Sequence, residues 1–283
     1  MPKLRLTCLS DTHNASPGGG YTLPAGDILI HAGDLTNQGS PHELQKALAW
    51  LREADFAVKI IVAGNHDLAL DERHEGFDGE VRKLVREDEG LVYLEHESTV
   101  VEVKGAKVKV FGSPYSLASS GEKQWAFQTS PDAAEKLWSA VPSDTDVLIT
   151  HTPPLGHLDA SAHWTRGGCP ALKQALGRVR PSLLVCGHCH EGRGGEVIRW
   201  SDGAEGEHDC VTAWRDPGLG NRKQSLFDLT GSRGGCALRG GRETAVVNAS
   251  IMAKSHGRGA KAFNKPIVVD INIPADGEVP QED

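Results

Sequence analysis

A chain of 283 residues is long enough to bury a large core, and 39% hydrophobic with 24% charged residues describes a water-soluble globular protein. A formal charge of -8 argues against stable nucleic-acid binding through phosphates, which needs clustered Lys and Arg, so an anionic substrate must find its positive charge locally. No apolar run approaches the ~20 residues of a bilayer span, and the N-terminal MPKLRLTCLSDTH lacks the apolar stretch of a secretion signal; no membrane contact and a cytoplasmic location are expected.

In chain order, KLRLTCL and DILIHA read as buried strands, short and rich in β-branched residues. SPHELQKALAWLREADF reads as a helix: Ser40 is placed as N-cap, Pro41 opens the first turn, and Leu44, Ala47, Leu48 and Leu51 share a face. KIIVAG is a strand, DGEVRKLVREDEG a solvated helix, and VKVFG a strand. SPDAAEKLWSAV is a helix behind Ser130, DVLIT a strand, CPALKQALGRV a helix near Pro170, and SLLVCG a strand. From Gly192 to about Glu243 the text holds about a third of the 33 glycines and little periodicity, so a structureless lid or disordered insert is expected at about 198–244. TAVVNASIMA and KPIVVDINI then resume the strand pattern, so the insert would interrupt one α/β domain spanning 1–283.

The residues at the carboxyl end of each apolar run carry the chemistry. LRLTCLSDTH delivers Asp11 and His13, DILIHAGD Asp34, KIIVAGNHD Asn65, His66 and Asp67, DVLITH His151, and SLLVCGHCH His188 and His190. In open α/β sheets, ligands bind beyond the carboxyl ends of the strands. Carboxylate, imidazole and amide oxygen suit Mn, Fe or Zn and need no thiolate. The set is too large for one tetrahedral ion, so two divalent ions sharing a bridging carboxylate are expected. Two such ions ~3.5 to 4 Å apart can hold the attacking and leaving oxygens of a phosphoryl transfer, and they make the pocket positive inside an acidic protein.

The string D-x-H, G-D, G-N-H-D, H and G-H-x-H, in that order, resembles the calcineurin-like metallophosphoesterase superfamily. DILIHAGDLT, VFGSPYS, THTPPLGHLD, CGHCHEGRG and VVNAS look most like its metallophosphoesterase-domain-containing, cyclic nucleotide phosphodiesterase-like branch, over roughly residues 4 to 197 and 245 to 273. The resemblance implies a four-layer α/β/β/α sandwich and two metals, manganese first and iron or zinc as alternatives. Asp11, His13 and His190 would bind one ion, Asn65, His151 and His188 the other, and Asp34 would bridge. His66 would stand beside the phosphate as transition-state stabiliser or acid, oriented by Asp67. The implied partner is a small phosphoester, cleaved by a hydroxide bridging the ions. Phosphodiesters, cyclic nucleotides among them, are favoured over phosphomonoesters or phosphoproteins.

Other readings stay open at this point. Cys186 and Cys189 form a C-x-x-C pair that a redox protein would use, although Cys186 follows a strand run and no helix start lowers its pKa. All six cysteines are expected as free thiols. A scaffold that kept the fold without turnover would show damaged ligands, and none is seen. Among substrate contacts, Arg166 matches a phosphate oxygen geometrically, and His157 either approaches substrate or fixes its loop. Asn65 would touch both metal and substrate. Trp200 and Trp214 either stack on a base or anchor the insert, and His31 and the remaining histidines read as packing or surface residues.

Overall fold

The structure is a computed structural model that describes residues 2–118, 125–162, 167–201, 207–233, 237–253 and 262–273. The order is β1 (Lys3–Leu9), β2 (Ile28–Ala32), α1 (Pro41–Glu53), β3 (Val58–Val62), α2 (Gly79–Arg86), β4 (Val92–Leu94), β5 (Glu97–Val103) and β6 (Ala106–Ser113). Then come β7 (Ser116–Leu117), β8 (Gln128–Thr129), α3 (Pro131–Ser139), β9 (Val147–Thr150), α4 (Pro170–Val179) and β10 (Leu183–Cys186). The chain continues through β11 (Gly194–Trp200), β12 (His208–Ala213), β13 (Ser225–Asp228), β14 (Glu243–Asn248) and β15 (Ile267–Asn272).

Among the described residues the strands form a six-stranded sheet in the order β13-β15-β1-β2-β3-β4 and a seven-stranded sheet in the order β12-β11-β14-β10-β9-β6-β5, with β7 and β8 paired separately. The strands β1 to β4 run parallel, as do β6, β9, β10 and β14, so their carboxyl ends gather at one edge of each sheet. Period-two side-chain alternation then builds the layers. Leu4, Leu6, Ile30 and Val62 of one sheet meet Val108, Ile149, Val185 and Val247 of the other in the central core. The opposite faces, Leu29 and Ile61, lie under Leu44, Leu48 and Leu51 of α1 and Val81 and Val85 of α2. Leu148, Leu184 and Val246 lie under Trp138 of α3 and Leu172 and Leu176 of α4. The result is an α/β/β/α sandwich. Strands apolar on both faces are what such double cover requires.

Local chemistry sets the helix starts as read: Ser40 Oγ accepts from the amide of Glu43 at 3.3 Å, and Ser130 Oγ from that of Ala133 at 3.2 Å. The glycine-rich segment departs from expectation. It is not structureless: β11 and β12 form an antiparallel pair at the edge of the larger sheet, and β13 joins the smaller one beside β15. Gly195 makes room there for Phe227, whose ring a Cβ would crowd, and Phe227 stacks on Trp214 with 5.2 Å between centres. Trp200 is buried, its indole N–H donating to Thr244 Oγ1 at 2.9 Å. Both tryptophans therefore anchor the segment. No helix among the described residues is long and apolar enough to cross a membrane.

Candidate metal centre

The ligand-bearing loops after β1, β2 and β10 bend sharply as they leave their strands. Asp11, His13, Asp34 and His188 adopt left-handed backbone with φ of 56°, 42°, 55° and 66°. Non-glycine residues held there cost on the order of 1 to 3 kcal/mol each and persist where the surroundings over-determine them. Here the loops are stitched together: the amide of Asp11 donates to Gly33 O at 2.9 Å, that of His13 to Asp34 O at 3.1 Å, and that of Gly187 to His151 O at 3.0 Å. The amide of His188 donates to the Asp11 carboxylate at 3.0 Å, which ties the two sheets. The glycine that opens three of the motifs has a steric reason. A Cβ on Gly64 would fall onto the Asp34 carboxylate, one on Gly33 onto the His151 ring, and one on Gly187 onto Ser10 and Asp11.

The side chains converge as acceptors. His151 Nδ1 donates to Ala32 O at 2.9 Å, so Nε2 of the neutral ring carries a lone pair. That lone pair faces Asn65 Oδ1 at 3.0 Å and Asp34 Oδ1 at 3.4 Å. Three acceptors facing one another in a buried space is an arrangement a cation stabilises. His13 Nδ1 likewise sits 3.3 Å from Thr36 O, and its Nε2 lies 3.3 Å from His190 Nε2 and 3.7 Å from Asp34 Oδ2. His190 Nε2 is 3.3 Å from Asp11 Oδ1, and its buried Nδ1 has no hydrogen-bond partner among the described residues. Atoms able to ligate one ion gather in three overlapping sets: Asp11, His13 and His190; Asp11, Asp34 and His151; and His13, Asp34 and His66. Asp34 turns one oxygen to each side. On donor chemistry and convergence, these residues fit divalent ions.

Burial favours the neutral imidazole at His13 and His188, whereas at His190 burial is outweighed by the hydrogen bond and charge of Asp11, which raise the ring above its usual value. Burial lowers His13 to about 4 against the opposing pull of Asp34. Desolvation first and the neighbouring His151 second lower His188 to about 3; the two rings meet edge-on, 4.9 Å apart. For Asp11, burial raises the carboxyl, but the hydrogen bond and charge of His190 outweigh it and hold it well below its usual value.

The roles of His66 and Asp67 separate. His66 Nδ1 lies 2.8 Å from Asn37 O, and its ring is held between His13, 4.6 Å away edge-on, and Trp125, 4.3 Å away and tilted. Asp67 does not orient that ring, which corrects the expectation. Its carboxylate accepts from the amides of Gly64, Leu35 and Thr36 at 2.8, 3.2 and 2.9 Å and from Thr36 Oγ1 at 2.7 Å. It locks the G-N-H-D loop to the G-D loop. Burial and the charge of Asp34 push it up to about 6 against those hydrogen bonds.

Asn65 joins the cluster through its side-chain oxygen. His188 enters none of the three sets and reaches the site through its contact with His151. His157 is 3% exposed, too little to offer a substrate, with Nδ1 2.6 Å from Glu196 Oε1, so it takes the loop-fixing role. Arg166 lies outside the described residues. Cys186 and Cys189 are fully buried, and desolvation raises both thiols, the opposite of an activated pair. His31 is packed inside, with Nε2 3.0 Å from Thr12 Oγ1. Two residues that sequence reasoning did not place at the site stand beside it. Trp125 supports His66, and Asn248 Nδ2 donates to both Leu158 O (2.9 Å) and Cys189 O (2.8 Å), joining the loops after β9 and β10. The strand-end position of Asn248 in VVNAS was its one signal.

The family model described as calcineurin-like phosphoesterase matches residues 4–192. A protein named "Probable rhamnogalacturonate lyase C" from Emericella nidulans is 42% identical over 200 residues, 70% of this chain and 18% of that protein. A UPF0046 protein of Caenorhabditis elegans is 38% identical over 68% of this chain and 66% of its own length. Metallophosphoesterase domain-containing protein 1 of Homo sapiens is 36% identical over 67% and 61%. The matches thus span less than two thirds of each of these relatives. The motifs at the five strand ends and the breadth of the family match lead to one conclusion: this chain belongs to the calcineurin-like phosphoesterase family, whose members use divalent metals.

Proposed function

We propose that the chain is a dinuclear metal-dependent phosphodiesterase acting on small phosphodiesters, cyclic nucleotides among them. The observation that carries the reading is the position of Asp34. One carboxylate oxygen faces His151 and the other faces His13, so a single side chain serves both halves of the acceptor cluster. Asp11, His13 and His190 would hold one ion and Asn65, His151 and His188 the other. When bound, the ions supply Lewis acidity to the phosphate oxygens.

The rest falls to the protein's own groups. Asn37 O accepts the Nδ1 proton of His66, so Nε2 is the nitrogen that takes up a proton and gives it only from the doubly protonated ring; the rings of Trp125 and His13 keep it aimed. As a water oxygen bonds to phosphorus and the P–O bond to the alcohol breaks, doubly protonated His66 gives its Nε2 proton to the leaving oxygen. Asp67 and Thr36 keep the loop carrying His66 against the loop carrying Asp34, preserving the geometry on which in-line attack depends. Manganese is the first metal to test, and a cytoplasmic location is the working picture.

The test compares bis(p-nitrophenyl) phosphate with p-nitrophenyl phosphate, using protein stripped of metal and then reloaded with manganese. Diester turnover that appears only on reloading is the expected result. Cleavage of the monoester alone would move the assignment to a phosphomonoesterase or protein phosphatase. Silence towards both at every metal loading would leave a metal-binding scaffold.

A further inference from the structure

Beside the metal centre lies a cavity of about 380 Å³ walled by His13, Asn14, Ala15, Asn37, Glu43 and Phe263. That is on the order of ten water volumes, more than a phosphate needs. Through His13 it borders the candidate ligands, and through Asn37 it borders the carbonyl that orients His66. A group bonded to the leaving oxygen would therefore extend into it. The wall combines an apolar face with acceptors. Phe263 packs against Tyr21 with 5.9 Å between ring centres, and Gly20 lies so close beneath that a Cβ would overlap the Phe263 ring. Asn14 sits in left-handed backbone at φ 67°, and its side-chain oxygen is buried without a hydrogen-bond partner among the described residues.

Charge is the decisive feature. Among the described residues of the wall, Glu43 is the sole carboxylate and no lysine or arginine is present. Glu43 lies in the first turn of α1, and its Oε2 accepts from the amide of Gln38 at 2.7 Å. Its amide in turn donates to Ser40 Oγ, so the helix start is already occupied by the protein's own groups and offers little to an outside anion.

The geometry points to this cavity as the subsite for the alcohol portion of the ester, with Glu43 selecting alcohols that carry a positive charge, such as amino alcohols, over anionic ones. This rests on the phosphoesterase reading above, with the phosphate held at the metal centre.

The test is equilibrium binding, which needs no turnover. Full-length manganese-loaded protein is titrated calorimetrically with inorganic phosphate, 2-aminoethylphosphonate and phosphonoacetate, the last two having C–P bonds that this chemistry does not cleave. The expected result is a preference of about tenfold for the aminoethyl compound, about 1.4 kcal/mol, falling to within about twofold in Glu43→Gln while phosphate affinity is unchanged. Glutamine keeps an acceptor for the Gln38 amide, so the loop is preserved. A second variant, Phe263→Ala, is expected to weaken both phosphonates and leave phosphate alone. No preference in the wild type, or a preference unaltered in Glu43→Gln, overturns the subsite with the phosphoesterase reading intact. Failure of phosphate itself to bind the metal-loaded protein removes both.

Discussion

Asp34 and His66 stand within one cluster yet make different demands on it. Asp34→Asn removes the charge shared between the two halves, so loss of metal from both is expected, read as bound metal per chain after dialysis. His66→Ala is expected to retain metal while turnover falls roughly 10²- to 10⁴-fold, the usual range for a lost general acid. Equal metal loss in both variants would show that His66 ligates, as its proximity to His13 and Asp34 permits. Gly64→Ala makes a third test, since the added methyl falls on the Asp34 carboxylate. It is expected to reduce metal content although the substitution replaces no ligand, because the methyl displaces the Asp34 carboxylate. The candidate ligands were legible because aspartate and histidine recur directly after apolar runs. The work of Asp67 was not, because a carboxylate bound to backbone amides looks in sequence like one that acts on substrate. Trp125 was hidden for a similar reason: its contact with His66 depends on a loop path that no periodicity encodes.

Among the elements, the strands written as continuous apolar runs and the helices with helical periodicity were readable, and so were the helix starts at Ser40 and Ser130. β4 and β5 were not. β5 presents an alternating, half-exposed pattern, and its hairpin to β6 turns on Lys104 and Gly105, both at positive φ, where an Asn-Gly pair is the recognisable signal. The segment after Gly192 misled through glycine content, since β12 and β13 are edge strands and β11 and β13 pair with β14 and β15, which lie far away in sequence. Loops that carry ligands are held by elements too, and Asn248 at the end of β14 is the clearest case. Asn248→Ala leaves the carbonyls of Leu158 and Cys189 without that donor, at a cost of about 1 to 3 kcal/mol in stability. Because Cys189 stands between His188 and His190, the same change is expected to weaken metal affinity. Stability loss measured by urea unfolding with metal affinity unchanged would make Asn248 purely structural.

At the scale of the whole molecule, acid sensitivity has an identifiable source. Asp270 on β15 faces Arg5 on β1, with Nε to Oδ1 at 2.7 Å, and Lys3 reaches the same carboxylate at 2.9 Å. Burial raises the Asp270 carboxyl, but Arg5 and Lys3 outweigh burial and hold it below its usual value. A depressed folded pKa means the contribution is complete above the unfolded value, about 3.9, and is lost as pH falls through the folded one. Asp270→Asn should therefore lower the urea midpoint at pH 7 and shrink the difference from wild type as the pH approaches 3. A gap that stays constant with pH would assign the effect to packing. The two sheets meet over an apolar interior, yet their carboxyl-end loops contribute Asp11, His13, Asp34 and Asn65 from one side and His151, His188 and His190 from the other. Any ion seated among them works as a clasp across the mouth of the sandwich. Folding and metal supply then become one equilibrium: at a free concentration 100 times the dissociation constant, the clasp adds about 2.7 kcal/mol per ion, and a chelator would take it away. A cell short of the metal would then hold a protein that is looser as well as idle, and more open to proteolysis from that rim inward.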